Sequence, residues 1–195
     1  MRKKSHIALA GYLMDSMMKE EIVKYKKTFM FGSILPDIIP SFLTRKHTID
    51  ATFSILRNEI KKITDEYDAM EGIGRYYVRH LGVVTHYVAD YFTLPHNKKF
   101  EGNLKDHCVY ENELKHRLKE YVTSSEALRP RHNGLICKNA DEICQFIQEM
   151  HEEYLKAVSA IKTDIDYIVT VCHRIMDAIL QLFELKVQSP EFCLA

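Results

Sequence analysis

The stretch RYYVRHLGVVTHYVADYFTLPH, residues 75–96, decides how the rest of the chain is read. Tyr77, Val84, Val88 and Tyr91 recur at the 3.6-residue period of a helix with a buried face, not at the alternation of a strand. Pro95 ends the run, because proline cannot extend a helix and disfavours helical geometry in the residue before it. Beside the apolar stripe stand His86 and Asp90, four residues apart and so on one face. Gly82 and Ala89 share that face, and their small side chains permit close approach of a neighbouring backbone. Arg75 and Arg79 precede them there, so a solvated ion pair and a shared metal ion are both open readings.

The same period covers nearly all the remaining sequence. It predicts helices over 5–26, 49–66, 70–93, 104–124, 139–160 and 163–188. Seven glycines and five prolines in 195 residues leave few breaks. The breaks fall mainly in three connections: 28–47 with Gly32, Pro36 and Pro40, 94–103 with Pro95 and Gly102, and 124–138 with Pro130 and Gly134. No repeat, linker or low-complexity tract divides the chain, so the expectation is one all-α domain over residues 1–195.

Composition excludes several classes. Lys plus Arg equals Asp plus Glu, 27 each, so no global field favours nucleic acid or an anionic membrane. The five cysteines are odd in number and include no C-x-x-C, which signals neither a disulfide framework nor a thiolate zinc site. Reduced, mostly buried thiols of a cytoplasmic protein are expected instead. No apolar run approaches the roughly 18 residues of a membrane helix. Arg2-Lys3-Lys4 before Ile7 to Met14 faintly imitates a signal peptide, but Asp15, Glu20 and Glu21 follow at once.

Ten histidines are the raised count. Zinc favours imidazole nitrogen and carboxylate oxygen, and His at i with Asp or Glu at i+4 sets both on one helix face. Chance gives about 1.4 such pairs at this composition; the chain has four, His86/Asp90, His107/Glu111, His116/Glu120 and His173/Asp177. The spacing alone is therefore weak, and position must sort them. His107 and Glu111 project into an apolar stripe of Leu104, Cys108, Leu118 and Val122, where they need a partner, a proton or a metal. His116 and Glu120 lie among Lys115, Arg117 and Lys119 and read as a solvated pair; His173 and Asp177 read as a surface pair. His6, centred on Leu9, Ala10, Leu13 and Met17, and His80, between Tyr77 and Val84, are by default core histidines. Asp37 after Pro36 reads as a turn or cap residue, His47 as a helix start and His96 as an exposed loop residue. His132 and His151 are assigned to the surface.

Taken in order, however, His6, Asp37, His47, His86, Asp90, His96, His107 and Glu111 make one pattern: H, D, H, then H-x3-D-x5-H-x10-H-x3-E. The segments SHIALAGYL, FGSILPDI, RKHT, THYVADYFTLPH and DHCVYENEL carry it. This resembles the zinc-dependent phospholipases C of bacteria and, more distantly, the zinc nucleases that cut single strands. The resemblance implies a multi-helix bundle with a metal cleft between helices and two or three zinc ions. Asp37, His47, His86 and Asp90 would hold one ion; His96, His107 and Glu111 a second; His6 and a bridging Asp90 a third. In the family an amino-terminal tryptophan completes the third set. This chain has no tryptophan, and Met1 stands five residues before His6.

The implied activity is hydrolysis of a phospholipid or other phosphodiester, with Asp37 as ligand or as general base. Phe29, Phe31, Ile34, Leu35, Ile38 and Ile39 would make transient contact with a membrane surface, or else pack in the core. A single-strand nuclease or phosphatase with the same metals, and a non-catalytic zinc-binding helical domain, are the alternatives. Nucleic acid is the weaker partner, because Tyr76, Tyr77, Tyr87, Tyr91 and Phe92 sit at helical spacing and read as core.

Overall fold

The computed structural model describes residues 1–17, 20–39, 46–124 and 135–188. In chain order these form helices α1 (Lys3–Asp15), α2 (Glu20–Val23), α3 (Lys26–Gly32), α4 (Ile49–Ile63), α5 (Arg75–Tyr91), α6 (Leu104–Val122), α7 (Ala140–Lys156) and α8 (Ile161–Val187). Three 3-10 turns, Leu35–Asp37, Ala69–Glu71 and Leu94–His96, complete them, with no strand among the described residues. The fold is all-α, and no described helix is long and apolar enough to cross a membrane.

The axis of the bundle is α5. Every residue from Leu81 to Tyr91 is buried, and a helix covered on all sides belongs inside a core rather than on its edge. Helices α1, α3, α4 and α8 pack against it, and α6 and α7 close the outside. Tyr77, Tyr87, Tyr91 and Phe92 of this segment are fully buried together with Phe29 of α3. Each such side chain contributes roughly 1.5–3 kcal/mol of transfer free energy. Local signals set the outer helices. Asn103 and Asp106 form a reciprocal capping box at the start of α6, and Asn139 accepts from the Glu142 amide at the start of α7.

Helix α3 lies very close to α5, and two glycines permit it. A Cβ on Gly32 would stand 2.2 Å from the Arg79 carbonyl oxygen; one on Gly82 would stand 2.4 Å from that of Phe29 and 2.9 Å from the Ser33 nitrogen. The sequence-level reading of Gly82 as a point of close approach thus describes this crossing. Its consequence lies one turn on, where the Ser33 carbonyl reaches the His86 ring.

Several sequence expectations are corrected. The helix expected over 5–26 is broken: α1 stops at Asp15, the Ser16 hydroxyl donates to the Leu13 carbonyl, and the Met17 amide turns back to Met14 in a tightened last turn. The connection expected over 28–47 begins as helix α3 and continues as a 3-10 turn through Asp37. The stripe drawn through Leu104 and Cys108 is not the inner face of α6: Leu104 is 80% exposed and Cys108 is exposed, because this end of α6 borders a cleft. The buried residues of α6 are Leu114 and Leu118. His151 and His173 are buried, not superficial; one bonds Asn97 and the other meets Tyr12 edge-on at 5.3 Å between centroids. His80 is only half-buried and pairs with the buried carboxylate of Glu59. Pro40, Pro130, His132, Gly134 and Cys193 lie outside the described residues.

Gly82→Ala tests the crossing. Alanine gains up to about 1 kcal/mol of helix propensity over glycine, but a methyl group forced against backbone costs about 1–3 kcal/mol in a packed interior. The urea midpoint of the variant should therefore fall; a rise would show that α3 yields without cost.

Candidate metal centre

Asp90 sits at the end of α5 with its side chain 1% exposed. Imidazoles reach it from four parts of the chain. His6 of α1 places Nε2 3.3 Å from Asp90 Oδ1. On the other oxygen, His47 Nδ1 lies at 2.9 Å, His86 Nε2 at 3.3 Å and His96 Nδ1 at 3.7 Å. The nitrogen of Met1 also contacts Oδ1. Asp37 approaches the same group, its Oδ1 3.8 Å from His47 Nδ1 and 3.9 Å from His86 Nε2. Beside it is a second set, in which Glu111 Oε1 lies 3.2 Å from His107 Nε2 and 3.3 Å from His96 Nε2.

All eight residues singled out from the sequence are thus brought together. Their ligand atoms form three sets, each within 4.8 Å: His6 with Asp37 and His86; His47 with His86 and Asp90; His96 with His107 and Glu111. The second and third sets follow the grouping that the resemblance implied. The first differs from it: His6 has Asp37 and His86 within 4.8 Å in addition to Asp90 at 3.3 Å.

Backbone carbonyls orient two of the rings. The Ser33 carbonyl lies 2.8 Å from His86 Nδ1, and the His47 carbonyl 3.2 Å from His96 Nδ1. A carbonyl only accepts, so each Nδ1 carries a proton; His86 Nε2 then faces His47 and Asp90, and His96 Nε2 faces Glu111. Neither ring nitrogen of His6 has a hydrogen-bond partner, although both are buried. An orphaned buried polar atom is costly.

Electrostatics point the same way. Burial pushes His6 down to about 3, with help from His86 and against the pull of Asp90, so this ring is neutral. Burial alone would raise Asp90, but positive groups around it hold it well below the carboxylate range. The Met1 amine is the largest source of that pull, followed by His96 and His86. Glu111 is likewise lowered against its burial, to about 2, first by the hydrogen bond from His96. A zinc ion needs ionised carboxylates and neutral imidazoles; His47, lowered by burial but raised on balance by Asp90, would give up its proton on binding. His86 Nε2 and His47 Nδ1, 3.1 Å apart, are close to the ~3.3 Å between two ligand atoms on a tetrahedral zinc. The residues fit the metal.

A supporting layer was not visible in the sequence. Asp164 of α8 is buried and accepts from the Leu94 amide at 2.8 Å, the Tyr154 hydroxyl at 2.8 Å and the Tyr110 hydroxyl at 2.9 Å. It thereby ties down the turn that carries His96 and the residue before Glu111. His151 holds the Asn97 side-chain oxygen at 2.7 Å, and Asn97 in turn donates to the Tyr91 and Thr93 carbonyls. The available signal was the place of Asp164 on the buried stripe of α8, one turn before Ile168.

A cleft of about 510 Å³ opens onto His47, His96 and His107, with Lys46, Phe100 and Leu104 on its walls. A separate cavity of about 540 Å³ near Arg117 and Ile165 includes none of the eight residues. The family model for zinc dependent phospholipase C matches residues 5–161, a span that holds all eight. No curated protein and no solved structure matches the chain.

Burial lifts Asp164 to about 6 despite its three hydrogen bonds. A carboxyl raised in the folded state favours folding below its unfolded pKa, and that contribution is lost as pH rises through the folded value. Asp164→Asn removes the titration. The variant should be less stable than the parent, and the gap should narrow between about pH 4 and pH 7. Urea unfolding at the two pH values checks this; a gap that widens would contradict it.

Proposed function

This chain belongs to the zinc-dependent phospholipase C family, and from that premise we propose that it hydrolyses phosphodiester bonds with zinc, taking a phospholipid or a related phosphodiester. The observation that carries the reading is the single buried carboxylate, Asp90, shared by imidazoles from four parts of the chain. Asp37, His47, His86 and Asp90 would hold one ion, His96, His107 and Glu111 a second, and His6, Asp90 and the Met1 nitrogen a third. Zinc bound there supplies Lewis acidity, which lowers the pKa of a water and draws charge from the phosphoryl oxygens.

The chain's own groups supply the remainder. Asp90 joins the sets, and the Ser33 and His47 carbonyls fix the orientation of the His86 and His96 rings. Asp37 is the most exposed of the three carboxylates, at 18%, and burial raises its pKa, with Asp90 adding to the rise against His86. It is the group placed to take the proton as the water oxygen bonds to phosphorus and the ester oxygen leaves. The cleft on His47, His96 and His107 supports catalysis over a closed structural site, which would leave no position for a substrate.

Two observations favour a lipid-like substrate over a single-stranded nucleic acid. Tyr77, Tyr87, Tyr91 and Phe92 are fully buried and cannot stack on bases. Phe31 is 51% exposed and Ile38, next to Asp37, is 42% exposed, apolar surface that a lipid interface would cover.

Purified without added zinc, the protein should hold two or three ions per chain by plasma mass spectrometry and should cleave a chromogenic phosphodiester faster than single-stranded DNA. Asp90→Asn should lower zinc affinity by about 10- to 100-fold and abolish turnover. Full zinc content and full turnover in that variant would refute the assignment.

A further inference from the structure

Asp37 also lines a second opening. This cavity, about 580 Å³, is otherwise walled by Met1, Arg2, Lys3, Lys4 and Lys115. It therefore sets four cationic side chains around one carboxylate, and that carboxylate is assigned to the metal centre. The chain as a whole is neutral. Several cations elsewhere have a carboxylate partner: Lys26 with Asp15, Arg57 with Asp141, Lys62 with Glu59, Lys98 with Asp50. Among the described residues no carboxylate pairs with any of the four cations here.

Two of these cations are pinned side by side. The Asn112 side-chain oxygen accepts from Arg2 Nη1 at 3.1 Å and from Lys115 Nζ at 3.0 Å, and Arg2 Nη2 donates to the Cys108 carbonyl at 2.8 Å. Both residues are half-buried, and their charged ends stay at the surface, open to an incoming ligand. A neutral acceptor orients two like charges without cancelling either, and their repulsion is relieved only when an anion enters. A cationic quaternary head group would be repelled from such a wall, whereas a phosphate or carboxylate would find a guanidinium and an ammonium already positioned.

We propose that this cavity is the head-group subsite and that it selects phosphodiesters whose head group bears an additional anionic group. The proposal rests on the phosphodiesterase reading above and names its substrate class. Arg2, Lys3, Lys4 and Lys115 are the specificity residues; they bind the charge distal to the scissile phosphorus and take no part in the bond change.

The test compares two water-soluble substrates below their micellar concentrations, dihexanoyl phosphatidylcholine and dihexanoyl phosphatidylinositol 4-phosphate, with the zinc-loaded protein. The kcat/KM for the second should exceed that for the first by about tenfold or more. Lys115→Gln and the double variant Lys3→Gln/Lys4→Gln, checked for unchanged zinc content, should lower that ratio severalfold, through the anionic substrate. Lys119→Gln, on the exposed side of α6, should leave it unchanged. Raising NaCl from about 0.05 to about 0.5 M should lower the ratio as well. Equal turnover of the two substrates, or a preference that survives the cavity variants, would overturn the proposal while leaving the phosphodiesterase reading intact. So would variants that weaken only binding to anionic vesicles, since that outcome describes a membrane-docking face. Turnover of neither substrate would instead sink the phosphodiesterase reading and the proposal with it.

Discussion

A carboxylate closed off from water at the end of the most buried helix is the constraint to which the rest of the structure answers. Asp90 is surrounded by groups from α1, the segment before α4, α5 itself and the turn after it. An isolated ion in such a place costs far more than one side chain can return, so it exists only where opposite charge is supplied. In the absence of a metal the chain supplies it through the Met1 amine and imidazoles. In the proposed centre the ions supply it, and the bundle is in effect built around the place where they go.

Holding rings in register demands rigidity, and the structure obtains it by bringing backbone very close to α5. Gly32 and Gly82 let α3 settle against that helix, and the reward is a carbonyl in position to orient His86. On the other side, α7 and α8 reach across to the turn after α5 through His151 and Asp164. These late helices contribute none of the eight cluster residues, yet they fix the segment that holds His96.

Much of this was legible from residue order. The eight polar residues were picked out by an order that resembles the zinc-dependent phospholipases C, and Gly82 read as a small residue permitting close approach. What escaped did so for physical reasons. Periodicity reports which residues are apolar, not which helix covers them, so Leu104 and Cys108 were read inward although that end of α6 faces a cleft. Pro36 and Pro40 suggested an irregular segment, but proline is compatible with the first turn of a helix and says nothing against α3 before it. His151 and Asp164 looked ordinary because a buried polar group is recognised by its partner, and Asn97 and Leu94, which they hold, lie 54 and 70 residues away.

The account stands on divalent cations gathered by Asp90 and its neighbours. Zinc-edge anomalous diffraction from crystals of protein purified without added metal tests that directly. The expected map has two or three peaks within about 2.0–2.2 Å of the ligand nitrogens and oxygens, with the Asp90 carboxylate reaching more than one of them. A map with no zinc at Asp90, His47 and His86, or with zinc only at sites remote from them, would contradict it.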